Sequence, residues 1–170
     1  MKSHTVKAPL LTEPCSVSIC ILQDISMSFD EIKALIPSLD CALINPKLVA
    51  SFDQLSTAIM KVLTAGKNMK TRSRYSELLY SLSPSTNVTE SLKTFGLASE
   101  CKQAIAVRFD CPYGEAFAAE LESKLSARCL EYNPVAFESL ADIEAIKKLY
   151  KLTTNTYSLE ICSIIASKGV

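Results

Sequence analysis

Residues 16–22 read SVSICIL, and in this segment small side chains (Ser16, Ser18, Cys20) alternate with branched apolar ones (Val17, Ile19, Ile21). Successive side chains of a β-strand point to opposite faces, so this alternation predicts a strand. The same pattern returns at residues 103–109, which read QAIAVRF. The apolar positions that would share a face are Val17, Ile19 and Ile21 in the first segment and Ile105, Val107 and Phe109 in the second. The short apolar run from Cys41 to Ile44 predicts a further strand, and the segment Arg128 to Tyr132 before Pro134 is predicted to be the last one.

Helix signals occupy the chain between and after these strands. Serine or asparagine stands three residues before a glutamate or glutamine at three places, which is the spacing of an N-terminal cap. These pairs are Ser28 with Glu31, Ser51 with Gln54, and Asn87 with Glu90. The predicted helices are Ser28 to Ile36, Ser51 to Gly66, Ser73 to Leu82, Asn87 to Gly96, Asp110 to Leu125, Ser139 to Leu149 and Ser158 to Ser167. Pro37 is expected to end the first of them, and Ser139 and Asp142 are expected to cap the sixth.

Strands separated by unequal numbers of helices argue against a regular βαβ winding and predict an α+β fold. We expect a single domain over residues 1–170, with a small mixed or antiparallel sheet and about six to seven helices. Residues 1–13 contain no continuous apolar run, so we expect a loose N-terminal arm rather than a signal peptide. No apolar stretch approaches the ~20 residues that span a bilayer, so no membrane segment is expected.

The composition narrows the possible chemistry. The chain has one histidine, His4, which excludes a Ser-His-Asp or Cys-His arrangement and any multi-histidine metal site. Its four glycines form no phosphate-binding loop. The seven cysteines contain no Cys-x-x-Cys pair, which is typical of buried reduced thiols in the cytoplasm or nucleus. We therefore predict no catalytic residues, no cofactor and no metal; a small enzyme that uses one cysteine is the alternative.

Basic residues are concentrated between Leu55 and Ser76, a stretch that contains no acidic residue. The equal totals of 18 basic and 18 acidic residues make the rest of the chain net acidic. The bases of this segment, which lie beside Tyr75, are Lys61, Lys67, Lys70, Arg72 and Arg74. Such a cluster is an electrostatic footprint for a phosphate backbone, and a solvated turn explains it equally well.

The last predicted helix is apolar around most of its circumference. At roughly 100° per residue, two apolar groups lie on opposite faces: Leu159, Cys162 and Ala166 on one, and Ile161, Ile164 and Ile165 on the other. A helix that covers one core needs an apolar stripe of only about 100°. The surplus must meet a partner protein, a second element of the same domain, or a second copy of the chain.

Several short motifs, taken in order, resemble the PRPK-binding (TPRKB-type) subunit family of the KEOPS/EKC complex. They are Leu43-Ile44-Asn45-Pro46, Phe52-x-x-Leu55, Gly66-Lys67, Met69-Lys70-Thr71-Arg72, Ser81-Leu82-Ser83-Pro84 and Leu92-Lys93-x-Phe95-Gly96. The resemblance covers about residues 41–97, and Lys147 to Leu152 is similar to a further block of that family. Between about Cys101 and Pro134 no motif is shared with that family. The prediction of the second half of the sheet therefore depends on periodicity alone.

The resemblance implies a non-catalytic, cytoplasmic and nuclear subunit that binds a PRPK-type kinase/ATPase and, through it, the other KEOPS/EKC subunits. It also implies that the chain helps to hold tRNA for threonylcarbamoyladenosine formation. We accordingly assign residues 156–168 to a docking helix, with Ile161, Ile164 and Ile165 toward the kinase and Leu159, Cys162 and Ala166 toward the core. We assign the binding of tRNA phosphates to Lys67, Lys70, Arg72 and Arg74. Tyr75 or Tyr80, if exposed, is expected to stack on a base. A stand-alone RNA-binding module without a kinase partner is the alternative.

Overall fold

The structure is a computed structural model and describes residues 3–8, 15–131, 133, 135–153 and 156–169, with the backbone alone for 3–8. Its strands are β1 (Ser3–Ala8), β2 (Cys15–Gln23), β3 (Ala42–Ile44), β4 (Ala104–Arg108) and β5 (Arg128–Cys129). Its α-helices are α1 (Phe29–Leu39), α2 (Phe52–Ala65), α3 (Arg74–Leu82), α4 (Val88–Phe95), α5 (Gly114–Leu125), α6 (Val135–Leu140), α7 (Ile143–Tyr150) and α8 (Tyr157–Ser167). The predicted α+β class is confirmed.

The chain divides into two compact units. The described residues of 1–45 and 96–132 form the sheet unit, which contains the strands with α1 and α5. Those of 46–95 and 133–170 form the helical unit, which contains the other six α-helices. The single domain over residues 1–170 stays a prediction. No helix in the described part of the chain is long and apolar enough to cross a membrane.

The sheet is antiparallel, with the strand order β1-β2-β4-β3 and with β5 paired to the end of β2. In the central pair Ile19 lies opposite Val107, so both predicted strands take part in register. Both faces of β2 are buried, including the side chains of Ser18 and Cys20. One core of the sheet unit brings residues of β2 together with α1 and α5, including Cys20, Leu22, Ile32, Leu39, Phe117 and Leu121.

The predicted loose arm is wrong for residues 3–8. They form β1, which pairs antiparallel with β2 from Ser3 opposite Cys20 to Ala8 opposite Cys15. An unpaired edge of β2 would expose a row of backbone donors and acceptors, and β1 satisfies them. Thr5 and Val6 also belong to the β-branched types that favour strands. Residues 1, 2 and 9–13 of the predicted arm lie outside the described residues.

The first helix does not stop at Ile36, because α1 continues through Pro37 to Leu39. A proline lacks the backbone N–H that would bond the carbonyl four residues earlier, so α1 continues with one helical hydrogen bond missing. Arg108 stabilises the end of the helix by donating from Nη2 to Leu39 O at 2.5 Å and from Nε to Asp40 O at 3.1 Å. The capping box that opens α1 is confirmed, since Ser28 and Glu31 bond each other's backbone N–H.

Two boundaries differ from the sequence prediction after residue 125. The strand predicted from Arg128 to Tyr132 is present only as Arg128–Cys129, and Tyr132 lies outside the described residues. Ser139 was expected to cap a helix but lies within α6, which the sequence analysis did not predict. Asp142 alone caps α7, accepting from Ala145 N at 3.0 Å. A six-residue helix offers too short a window for a periodic signal.

A buried amide joins three elements of the helical unit. Gln54 of α2 accepts from Ala50 N at 2.7 Å and donates to Leu48 O at 3.1 Å. Its amide also donates to the Tyr150 hydroxyl of α7 at 3.0 Å, and that hydroxyl donates to Leu82 O at the end of α3. Buried polar groups need such partners, so this network fixes α2, α3 and α7 relative to one another.

Candidate functional site

The helix α8 packs against α2 and divides into a buried face and an exposed face. Ile161 and Ile165 are completely buried, whereas Leu159 is 77% exposed and Ala166 is exposed as well. The residues of intermediate exposure are Cys162 and Ile164. The predicted assignment of the two faces to core and surface is therefore wrong for Leu159, Ala166, Ile161 and Ile165.

The error has a geometric cause. Ile161 and Ile165 are four residues apart and share one face of the helix, as do Leu159 and Cys162 on the other. Both faces are apolar, so periodicity cannot tell which one meets α2. The kinase-binding role of Ile161, Ile164 and Ile165 stays a prediction, and in this structure two of the three side chains are enclosed within the chain.

Beside the exposed face, α2 and α8 border a shallow groove of about 380 Å³. Its α2 side is lined by Ser56, Thr57, Met60, Lys61 and Thr64, and its α8 side by Ala166. The lining combines apolar surface with hydroxyl groups that bond back to their own helix, such as Thr57 Oγ1 to Asp53 O at 2.7 Å. Because those hydroxyls are satisfied, the groove presents mostly carbon atoms, which suits an apolar side chain of another protein.

Lys61 has a structural task that the sequence analysis missed. Its ammonium group donates to three backbone carbonyls at the end of α8: Ile165 O at 2.8 Å, Ala166 O at 3.1 Å and Lys168 O. The last carbonyls of a helix have no partner within the helix, and a cation there is stabilised by the helix dipole as well. Lys61 therefore fixes the end of α8 on α2 and does not belong with the exposed bases.

The other bases of the segment are exposed. Lys67 lies in the short 3-10 helix Gly66–Asn68, Lys70 and Arg72 follow in a bend, and Arg74 opens α3. All four side chains are exposed, and Tyr75 is half-buried. The structure thus places Lys67, Lys70 and Arg72 on one short connection between α2 and α3, with Arg74 at the start of α3. We call these four residues the basic loop.

A buried carboxylate holds the basic loop in place. Glu77 of α3 is 5% exposed and accepts from the backbone N–H of Thr71 at 2.8 Å. The Thr71 hydroxyl lies 2.8 Å from the same carboxylate oxygen, and Ser73 caps α3 by accepting from Ser76 N at 3.1 Å. These bonds order the backbone of the loop, and its four cationic side chains are exposed.

Tyr80 does not serve as a stacking group in this conformation. It is 8% exposed, and the Lys168 ammonium lies 3.5 Å from the centroid of its ring. A base would have to displace that cation and open the packing of α3. Tyr75 remains the predicted stacking residue of the basic loop.

Two of the buried cysteines, Cys20 and Cys41, are poor nucleophiles. Burial raises the pKa of the Cys41 thiol to about 12, and the neighbouring Cys129 thiol together with burial raises the pKa of Cys20. The thiolate is the reactive form, so both groups are inert at neutral pH. Among the described residues, no group of three or more histidine, cysteine or carboxylate side chains is placed to hold a metal ion.

Residues 22–169 match the model of a family described as kinase binding protein CGI-121. The chain is 27% identical over 134 residues to the EKC/KEOPS complex subunit cgi121 of Schizosaccharomyces pombe, covering 77% of each chain. It is 33% identical over 114 residues to the EKC/KEOPS complex subunit TPRKB of Danio rerio, covering 66% of this chain and 64% of that protein. Over 160 residues it is 26% identical to the cgi121 subunit of Aspergillus fumigatus, covering 89% and 84%.

Proposed function

This chain belongs to the kinase binding protein CGI-121 family, and from that membership we propose that it is a non-catalytic subunit of an EKC/KEOPS complex. In that role it binds a PRPK-type kinase/ATPase directly and the other subunits through it. It works in the cytoplasm and nucleus, where it helps to hold tRNA for threonylcarbamoyladenosine formation. The chemistry is performed by the partner subunits.

The observation that carries the kinase-binding proposal is the exposed face of α8. Leu159, a large aliphatic side chain that is 77% exposed, lies on the same side of the helix as Cys162 and Ala166. The groove between α2 and α8 borders this face at Ala166. We therefore propose a kinase contact on Leu159, Cys162 and Ala166 in place of the one predicted on Ile161, Ile164 and Ile165. Ile164 then lies at the rim, and the buried Ile161 and Ile165 support the helix from beneath.

Pull-down of the PRPK-type kinase by the Leu159→Glu variant tests this surface. A charge at an exposed position leaves folding intact but becomes a buried, unpaired ion in a protein contact, so affinity should fall by at least about tenfold. Val135→Glu is the matched control, because Val135 is also an exposed aliphatic residue of the helical unit, at 60%. Kinase binding that survives Leu159→Glu unchanged would refute this docking face.

The proposed contribution to tRNA binding is supported by the basic loop. Its four exposed cations stand on a backbone ordered by Glu77, in a chain whose remaining residues are net acidic. Phosphate contacts of this kind give affinity without reading sequence. They also support the alternative function, a stand-alone RNA-binding module.

Copurification from a native extract separates the two functions. A kinase-containing assembly that carries tRNA is the expected result. Recovery of RNA without any kinase would support the stand-alone module instead. Imaging of a fluorescent fusion checks the proposed cytoplasmic and nuclear localisation.

A further inference from the structure

Two lysines fasten the end of α8 to its neighbours. Lys61 of α2 donates to the carbonyls of Ile165, Ala166 and Lys168. Lys168, which follows α8, donates in turn to Tyr80 O and, at 2.7 Å, to Ser83 O at the end of α3. The first lysine ties the helix to α2, and the second ties it to α3. We call this pair of lysines the α8 clamp.

The Lys168 ammonium is held by unusual partners for a cation. Within the described residues, its acceptors are two carbonyl oxygens, and its charge is further stabilised by the face of the Tyr80 ring at 3.5 Å. Carbonyls at a helix end and an aromatic face are each attractive to a cation but do not neutralise it as a carboxylate would. Removing the charge of Lys168 therefore removes most of what holds it in place.

Open space adjoins Lys168 as well. Lys168 lines an open cavity of about 260 Å³, together with Lys61, Lys70, Glu77, Tyr80 and Gly169. Besides Lys168, the charged groups there are two cations, Lys61 and Lys70, and one anion, Glu77, which already accepts bonds from Thr71. Burial and then the nearby Lys61 lower the pKa of Lys168 to about 8, and Glu77 opposes them. The neutral, nucleophilic amine is thus populated near physiological pH.

We propose that Lys168 is an acylation site and that its modification by a small acyl thioester opens the α8 clamp. The amine nitrogen attacks the thioester carbonyl, a C–N bond forms, the C–S bond breaks, and the thiol leaves while the amine proton passes to solvent. The product amide is neutral, retains one N–H in place of the ammonium's three, and carries an acyl group. It cannot bond both Tyr80 O and Ser83 O, so the end of α8 separates from α3.

Opening the clamp would weaken kinase docking, and this last step alone rests on the proposed function. Ala166, on the docking face, is one of the residues whose carbonyl Lys61 holds, so both ends of the clamp act on the turn that borders the groove. A helix end that loses its anchors frays first, because its final carbonyls have no partners within the helix.

The acylation step is tested on the full-length protein treated with acetyl-coenzyme A at pH 8, with peptide mass spectrometry to follow each lysine. A pKa of about 8 gives Lys168 a far larger neutral fraction than an ordinary lysine of about 10.4, and lower intrinsic nucleophilicity offsets part of the gain. We expect Lys168 to react about tenfold faster than the exposed Lys67. An equal or lower rate at Lys168 would overturn the acylation site.

The clamp is tested separately by hydrogen exchange and by kinase affinity. Lys168→Gln, which resembles the acylated side chain, should speed exchange in the last turn of α8 and weaken kinase binding about tenfold, whereas Lys168→Arg and the control Lys93→Gln, at an exposed position of α4, should not. Unchanged exchange in Lys168→Gln would refute the clamp. Failure of the unmodified protein to bind kinase would refute the proposed function instead, leaving the exchange and acylation results to stand on their own.

Discussion

At the scale of single residues, the buried amide of Gln54 should contribute to the stability of the helical unit. Gln54→Leu keeps similar volume but leaves Ala50 N and Leu48 O without their bonds and takes one partner from Tyr150. Each buried group left unsatisfied costs about 1–3 kcal/mol, so the free energy of unfolding should fall by about 2–4 kcal/mol in urea titration. Gln103→Leu, at a half-buried loop position, should change it by less than about 0.5 kcal/mol. Equal effects of the two substitutions would show that the Gln54 bonds add nothing.

Glu120 should give the sheet unit a pH-dependent stability. Its carboxylate bonds Arg108 at 2.7 Å and Lys124 at 2.8 Å, and these contacts lower its pKa from 4.5 to about 2. A lowered folded-state pKa stabilises the protein above the unfolded pKa, and that stability is lost as the pH falls from about 4.5 to 2. The side chain is 32% exposed, so solvent screening limits the gain to about 1 kcal/mol.

The measurement for Glu120 is a urea titration of Glu120→Gln between pH 7 and pH 3. The variant should be about 1 kcal/mol less stable than the parent at pH 7, and the difference should shrink toward pH 3. Glu100→Gln, in an exposed turn, supplies the control for a lost charge. A difference that stayed constant with pH would assign the effect to packing instead of charge.

At the scale of elements, truncation of a side chain on one face of α8 should cost much more stability than truncation on the other face. Ile165→Ala removes buried methyl groups from the contact with α2 and should cost about 2–4 kcal/mol of unfolding free energy. Leu159→Ala changes an exposed side chain of the same helix and should cost less than about 0.5 kcal/mol. Urea titration decides between them, and a larger loss for Leu159→Ala would mean that the isoleucine face is not the one against α2.

The helices show which structural features can be predicted from the sequence and which cannot. The caps at Ser28, Ser51 and Asn87 could be predicted because each depends on residues three positions apart. The face of α8 that is buried depends on α2, far away in sequence, and both faces are apolar. For the same reason β1 could not be predicted, since its place is set by the edge of β2.

In the candidate site, too, local features could be predicted from the sequence, whereas contacts between distant residues could not. The exposed positions of Lys67, Lys70, Arg72 and Arg74 agree with the charge pattern, because a local run of cations without acids stays in solvent. Lys61 belongs to the same run in sequence, yet its ammonium is used at the end of α8. A charge pattern cannot reveal a lysine whose partners are backbone carbonyls, because carbonyls are present at every residue.

At the scale of the whole molecule, the protein combines zero net charge with a segregated distribution. Five of its 18 basic residues lie between Leu55 and Ser76. The rest of the chain contains the other 13 basic residues and all 18 acidic residues. Acidic residues repel a nucleic acid, so the tRNA contact that we propose would be directed to the basic loop. Binding should then depend on a few phosphate contacts and hence on salt.

This segregation predicts the salt dependence of tRNA binding. Converting Lys70 and Arg72 to Glu should weaken affinity and flatten the plot of log K against log salt, because each lost contact removes about 0.7–0.9 of a released counterion from the slope. Fluorescence titrations at several salt concentrations measure both quantities. Lys147→Glu with Lys148→Glu changes the total charge equally on α7 and serves as the control. If both double variants flatten the slope to the same degree, net charge alone governs binding; if the Lys70 and Arg72 variant leaves the slope unchanged, the basic loop is only a solvated turn.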